Sequence, residues 1–198
     1  MKVLYLLVCA LLLPAAMWGA VIDFESVSLG THSSLNLGDV TITYTGGNGN
    51  FDVVTASPGP PISGRALLSF FTNPGPAPFR ADINIGGIDY FQIGVGDYNG
   101  DVDNTYLQVY DSNDNLLGSD YYQNPAPTNG GSYLAVSTGG PSIAYALFWD
   151  AEPFPGAVYW DNLKYESRQS GEVPEPGTMG LAAGAFGALA LLRRLRRA

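Results

Sequence analysis

Val40-Thr41-Ile42-Thr43-Tyr44-Thr45 puts threonine on one side of the chain and valine, isoleucine and tyrosine on the other. Successive side chains of an extended strand point to opposite faces, so this period of two reads as a half-buried β-strand. Further along, Ile143, Tyr145, Leu147 and Trp149 mark one face in the same way. Working outward, short runs rich in β-branched and aromatic residues recur between clusters of Gly, Pro, Asn and Asp. Strands are predicted at 21–25, 40–45, 51–55, 66–71, 81–85, 90–96, 105–111, 116–122, 132–137, 143–150 and 158–166. Pro58-Gly59-Pro60-Pro61 and the proline run from Asn73 to Pro78 read as loops, because proline cannot serve a central strand. No helical period appears between residues 21 and 172. The predicted fold class is all-β, a two-sheet β-sandwich of jelly-roll-like form spanning residues 21–166.

The two ends differ from this body. Lys2, the apolar run Val3 to Leu13, Pro14 and the small residues Ala15 and Ala16 have the layout of a secretory signal peptide over residues 1–20, with cleavage expected after Ala20. Residues 167–173 form a polar linker. Residues 174–198 then run from Pro174-Glu175-Pro176 through the uncharged stretch Gly177 to Leu192 to a basic cluster, Arg193, Arg194, Arg196 and Arg197. As a helix, residues 177–192 cover roughly 24 Å. Leu195 and the arginine stems can extend that toward a ~30 Å hydrocarbon core. A basic flank stays cytoplasmic, so this transmembrane helix would leave the body outside the inner membrane.

Pro-Glu-Pro, one apolar helix and an arginine cluster, in that order, closely resemble the PEP-CTERM protein-sorting signal. The resemblance implies recognition and processing by an exosortase, a membrane-embedded processing enzyme, near Pro174, Glu175 and Pro176. The helix would be discarded and the body released to the cell surface or the extracellular polysaccharide matrix. Prolines at 174 and 176 fix φ and favour extended backbone, which is what a protease cleft accepts.

Charge and cysteine content narrow the function further. Cys9 is the only cysteine and lies in the signal segment, so the exported chain would have no disulfide. The exported part, residues 21–176, carries all 18 acids against four cations (Arg65, Arg80, Lys164 and Arg168), a net of −14. Such a surface repels phosphates, which argues against nucleic acid. It suits divalent cations and solubility.

Two acidic features could carry chemistry. Phe24-Glu25 in the first predicted strand and Trp160-Asp161-Asn162-Leu163 in the last form one pair, and parity puts Asp161 on the face of Leu163 and Tyr165. In outline this is similar to carbohydrate-binding-module jelly rolls with an early Phe-Glu and a late Asp-Asn-hydrophobic strand. That resemblance implies a structural calcium held by Glu25 and Asp161; a solvated edge or an ion pair with Lys164 or Arg80 is the alternative. The second feature, Asp97 to Asn104, begins like an EF-hand loop but has Val102 where glycine is needed and Gln108 where glutamate is needed. It reads as a polar hairpin turn, with a bound ion as the lesser alternative, and Asp111 to Asn115 reads likewise as a turn.

Catalysis is not expected. His32 is the only histidine, in a loop, and no mature cysteine is available as a zinc ligand or nucleophile. No cofactor is required. Tyr98, Tyr121, Tyr122, Phe154 and Trp160 are candidates for a platform that stacks on sugar rings, with the sandwich core as their other destination. The sequence thus describes an exported, non-catalytic sandwich for the surface or matrix, with exopolysaccharide binding as the alternative role.

Overall fold

The computed structural model describes residues 18–68, 77–98, 101–127, 129–140, 142–151 and 158–167. All fall in the compact unit Ala16–Arg168. Thirteen strands form among them: β1 (Trp18–Ile22), β2 (Gly30–His32), β3 (Ser34–Asn36), β4 (Val40–Tyr44), β5 (Phe51–Gly59), β6 (Ile62–Leu68), β7 (Phe79–Ile83), β8 (Tyr90–Asp97), β9 (Asp103–Tyr110), β10 (Leu116–Asn124), β11 (Gly130–Ser137), β12 (Tyr145–Ala151) and β13 (Tyr159–Ser167). Among the described residues no helix is long and apolar enough to cross a membrane. The expected transmembrane segment 177–192, the sorting residues from Pro174 to Arg197 and most of the signal peptide lie outside the described residues.

The strands build two antiparallel sheets. The first has the order β11-β8-β13-β6-β5-β2, with β1 also on β13; the second has the order β10-β9-β12-β7-β4-β3. Alternation explains which side of each strand meets the core. In β9, Asp103, Thr105, Leu107 and Val109 are buried while Asn104, Tyr106, Gln108 and Tyr110 are not. Aromatic contacts join the layers: Phe148 of β12 lies 5.0 Å from Trp160 of β13, and Phe51 of β5 meets Phe79 of β7 edge-on at 5.4 Å.

The strand pattern departs from expectation in four places. Residues 30–36 supply two three-residue strands, one at the edge of each sheet, where a loop was expected. Pro58 sits inside β5 rather than in a loop. It lies beyond Phe51–Val53, the part that β2 covers, and beside a bulge between Ala56 and Gly59, where a missing N–H breaks no ladder bond. β1 starts at Trp18 and pairs Trp18, Gly19 and Ala20 with Ser167, Glu166 and Tyr165, so cleavage after Ala20 would remove three of the five pairs. In β12 the core face is Ala146 and Phe148 with Asp150, whereas Leu147 and Trp149 belong to the opposite set.

Candidate functional site

β13 is where the first sheet changes partner. Tyr159 and Trp160 pair with Leu68 and Leu67 of β6, and Leu163 to Ser167 pair with β1. Between them the register against β8 slips, from Asp161 to Lys164, and Asn162 takes a φ of 52°. Asparagine is among the few non-glycine residues that adopt this left-handed geometry readily. The slip overturns the parity expectation: Trp160 and Tyr165 stand opposite the core residues Val95 and Phe91, whereas Asp161 stands opposite Gly94.

Side chains fill the seam. Asp161, 1 % exposed, accepts the Ser63 N–H at Oδ2 (3.3 Å) and the Asn162 N–H at Oδ1 (2.6 Å). The Asn162 amide donates to the Pro61 carbonyl (2.7 Å) and to Asp161 Oδ2 (3.2 Å). From the other side Glu25, just past β1, accepts the Arg65 N–H at 2.8 Å. Its carboxylate rests on Gly64: a Cβ there would stand 1.8 Å from Oε1, and Gly64 has a φ of +81°. The Arg65 guanidinium in turn donates to the Val27 carbonyl. The edge of β6 that β13 has left and β1 has not reached is thus met by carboxylate and amide groups.

This seam brings the Glu25 and Asp161 carboxylates to the same edge of β6. Asp161 Oδ2 accepts two N–H groups and Oδ1 a third, the donors that a buried carboxylate requires. Burial is the main cause that pushes its pKa to about 6; the two backbone N–H bonds lower it, and Glu25 and Asp23 raise it again. Lys164 bonds Glu166 at 2.6 Å and Arg80 bonds Asp82 at 2.7 Å, so neither cation was found pairing with the seam.

The remaining candidates separate. Trp160 is core, 1 % exposed, and Tyr122 packs against the core. Tyr98 is exposed, accepts the Ser57 N–H at 2.6 Å and meets Tyr159 edge-on. Phe154 lies outside the described residues. His32 ends β2, bonding the Ser28 carbonyl at 2.8 Å. Asp111 caps its turn by accepting from Asn113 and Asn115, which lowers its pKa. The stretch after Asp97 is no hairpin turn, since it carries the chain from β8 in the first sheet to β9 in the second.

Tyr121 belongs to a feature the sequence reading missed. Register aligns Trp149 of β12 with Tyr106 of β9, and Tyr106 with Tyr121 of β10. The three rings form a row on the face turned from the core, with centroids 5.3 Å and 4.9 Å apart. Tyr145 stacks on Tyr110 beside it at 4.9 Å, under the Arg80 guanidinium at 3.7 Å. Asn104 accepts from the Tyr121 hydroxyl (2.7 Å) and the Gln123 amide (2.9 Å), lining the row with polar groups. The inward phase of Leu107 and Val109 was the available signal, since it turns Tyr106 and Tyr110 outward.

The described unit is therefore an all-β, two-sheet sandwich with a side-chain seam at one sheet and an aromatic row on the other. Residues 172–197 match the PEP-CTERM protein-sorting motif, so the chain carries that signal at the segment where the sequence pointed to it. No curated protein matches by sequence. Among solved structures, the chain is similar to the enzymatically active domain of bacteriophage CBA120 tailspike protein 4 (18 % identity, 66 % of this chain, TM-score 0.41). It spans 19 % of that protein's length. It is also similar to the C-terminal family 22 carbohydrate-binding module of Clostridium thermocellum Xyn10B (12 % identity, 76 % of this chain and 94 % of that one, TM-score 0.45). A DUF4465 family protein from Bacteroides caccae aligns at 9 % identity over 76 % of this chain and all of its own, TM-score 0.49. Likeness this distant bears on neither ligand nor chemistry.

Proposed function

We propose that the chain is an exported, non-catalytic surface or extracellular-matrix protein delivered by its C-terminal signal. Residues 177–192 hold it in the membrane, Arg193, Arg194, Arg196 and Arg197 keep the tail cytoplasmic, and an exosortase-type enzyme cuts near Pro174, Glu175 and Pro176. The body that remains is a jelly-roll-like sandwich whose strands cross repeatedly between the sheets. The observation that carries this reading is the sorting-motif match at 172–197. Intact mass spectrometry of the protein from cells with an exosortase-type enzyme tests it. The expected mass lacks both ends, and a mature form keeping residues 177–192 would overturn the processing step.

The aromatic row favours a second role for the same body, binding of exopolysaccharide. Sugar rings present apolar C–H faces that pack on aromatic carbon, while flanking amides such as Asn104 and Gln123 meet hydroxyls. Substituting Trp149→Ala together with Tyr121→Ala is expected to abolish retardation in affinity electrophoresis through the matrix polysaccharide. A wild-type protein that is not retarded removes the binding role and leaves the sorting role standing.

A further inference from the structure

The crossover from β8 to β9 gathers three carboxylates outside the seam and the aromatic row. Asp97, Asp101 and Asp103 each offer an oxygen within 4.8 Å of the other two. Asp97 and Asp103 are buried, at 6 % and 1 % exposure. Independently of that proximity, neither oxygen of Asp103 has a hydrogen-bond partner. Asn124 stands opposite Asp103 in the β9–β10 register, and its amide nitrogen is also without one. Buried polar groups are ordinarily paired, and an ionised carboxylate among two like charges in a low-dielectric site is costlier still.

Such a cluster calls for a positive group at its centre. The ligand atoms are all oxygen, with no histidine or cysteine, which suits a hard cation and not zinc. Oxygens on opposite sides of a calcium ion stand about 4.8 Å apart, twice a ~2.4 Å bond, so the cluster has the span of one coordination sphere. A half-turn of the Asn124 amide would present its carbonyl oxygen to the same centre. We propose that Asp97, Asp101 and Asp103 bind one calcium ion at the crossover, with Asn124 as a fourth oxygen ligand. The ion ties the end of β8 in the first sheet to β9 and β10 in the second, at a place where no disulfide can do so.

Calcium chloride added to the full-length protein after chelation tests the site, with sodium chloride matched for ionic strength as control. Thermal unfolding is expected to shift up by about 3 °C or more at ~10 mM calcium, and isothermal titration to show one site. Asp103→Asn should abolish both effects. Without calcium it should unfold no earlier than the wild type, because it removes a crowded charge. A purely structural Asp103 would lower the unfolding temperature in both conditions and overturn the proposal. If Asp103→Asn does not fold, Asp101→Asn replaces it, with the same loss of calcium response expected. A calcium response that survives these substitutions, or none in the wild type beyond the sodium control, also overturns it.

Discussion

At the residue scale, Asp161 and Gly64 make opposite demands on the seam. Asp161 holds its proton more tightly when folded, with a pKa of about 6 against an ordinary 3.8. Its contribution to stability is therefore fully present below about pH 4 and is lost as the pH rises through about 6. Asp161→Asn should flatten that part of the stability–pH curve, measured by urea unfolding between pH 4 and 7. An unchanged slope would mean that another group titrates there. Gly64→Ala puts a methyl where the Glu25 carboxylate lies and strains a positive φ, and should cost about 2–4 kcal/mol. If Glu25→Ala rescues Gly64→Ala, the clash is with the carboxylate; if it does not, backbone strain dominates. Residues of this kind were half legible. Phe-Glu and Asp-Asn stood out as a pair, but parity assumes an unbroken strand. The extra residue at Asp161–Asn162 reversed the phase, and nothing local in the sequence announces a change of partner.

At the element scale, β9, β10 and β12 show how much a strand's own alternation tells. β4 reads correctly because its polar side is uniformly threonine and its other side apolar. β12 misleads, because Tyr145, Leu147 and Trp149 are as apolar as the core face formed by Ala146 and Phe148. The difference lies in the neighbours: stacked rings on β9 and the Arg80 cation give the outward side its own packing. That row joins residues 106, 121 and 149, so only register reveals it, and β2 and β3 are too short to show any period. Phe148→Ala should destabilise by about 3–5 kcal/mol, since it leaves a void among Phe79 and Trp160. Trp149→Ala, on the outward row, should cost less than half as much by chemical denaturation. Equal losses would show that the outward side is a second core.

For the whole molecule, charge and connectivity set the behaviour. Eighteen acids against four cations in residues 21–176 repel one another most strongly in dilute salt. Raising sodium chloride from about 10 to about 150 mM should raise the unfolding temperature by a few degrees, read by differential scanning calorimetry. A flat response would show that the acids are already compensated pairwise. The two sheets were legible from composition and turn spacing, whereas their strand order was not, because it depends on pairings far apart in the chain.

The zipper between Trp18–Ile22 and Leu163–Ser167 has a bearing on passage through a membrane. The opening strand's ladder partner is the final strand, made last. A polypeptide threading through a translocon head-first therefore leaves its leading strand unmatched until the closing one follows. Closure over such a long loop is slow. The ladder between these two strands therefore forms only once residues 163–167 have emerged.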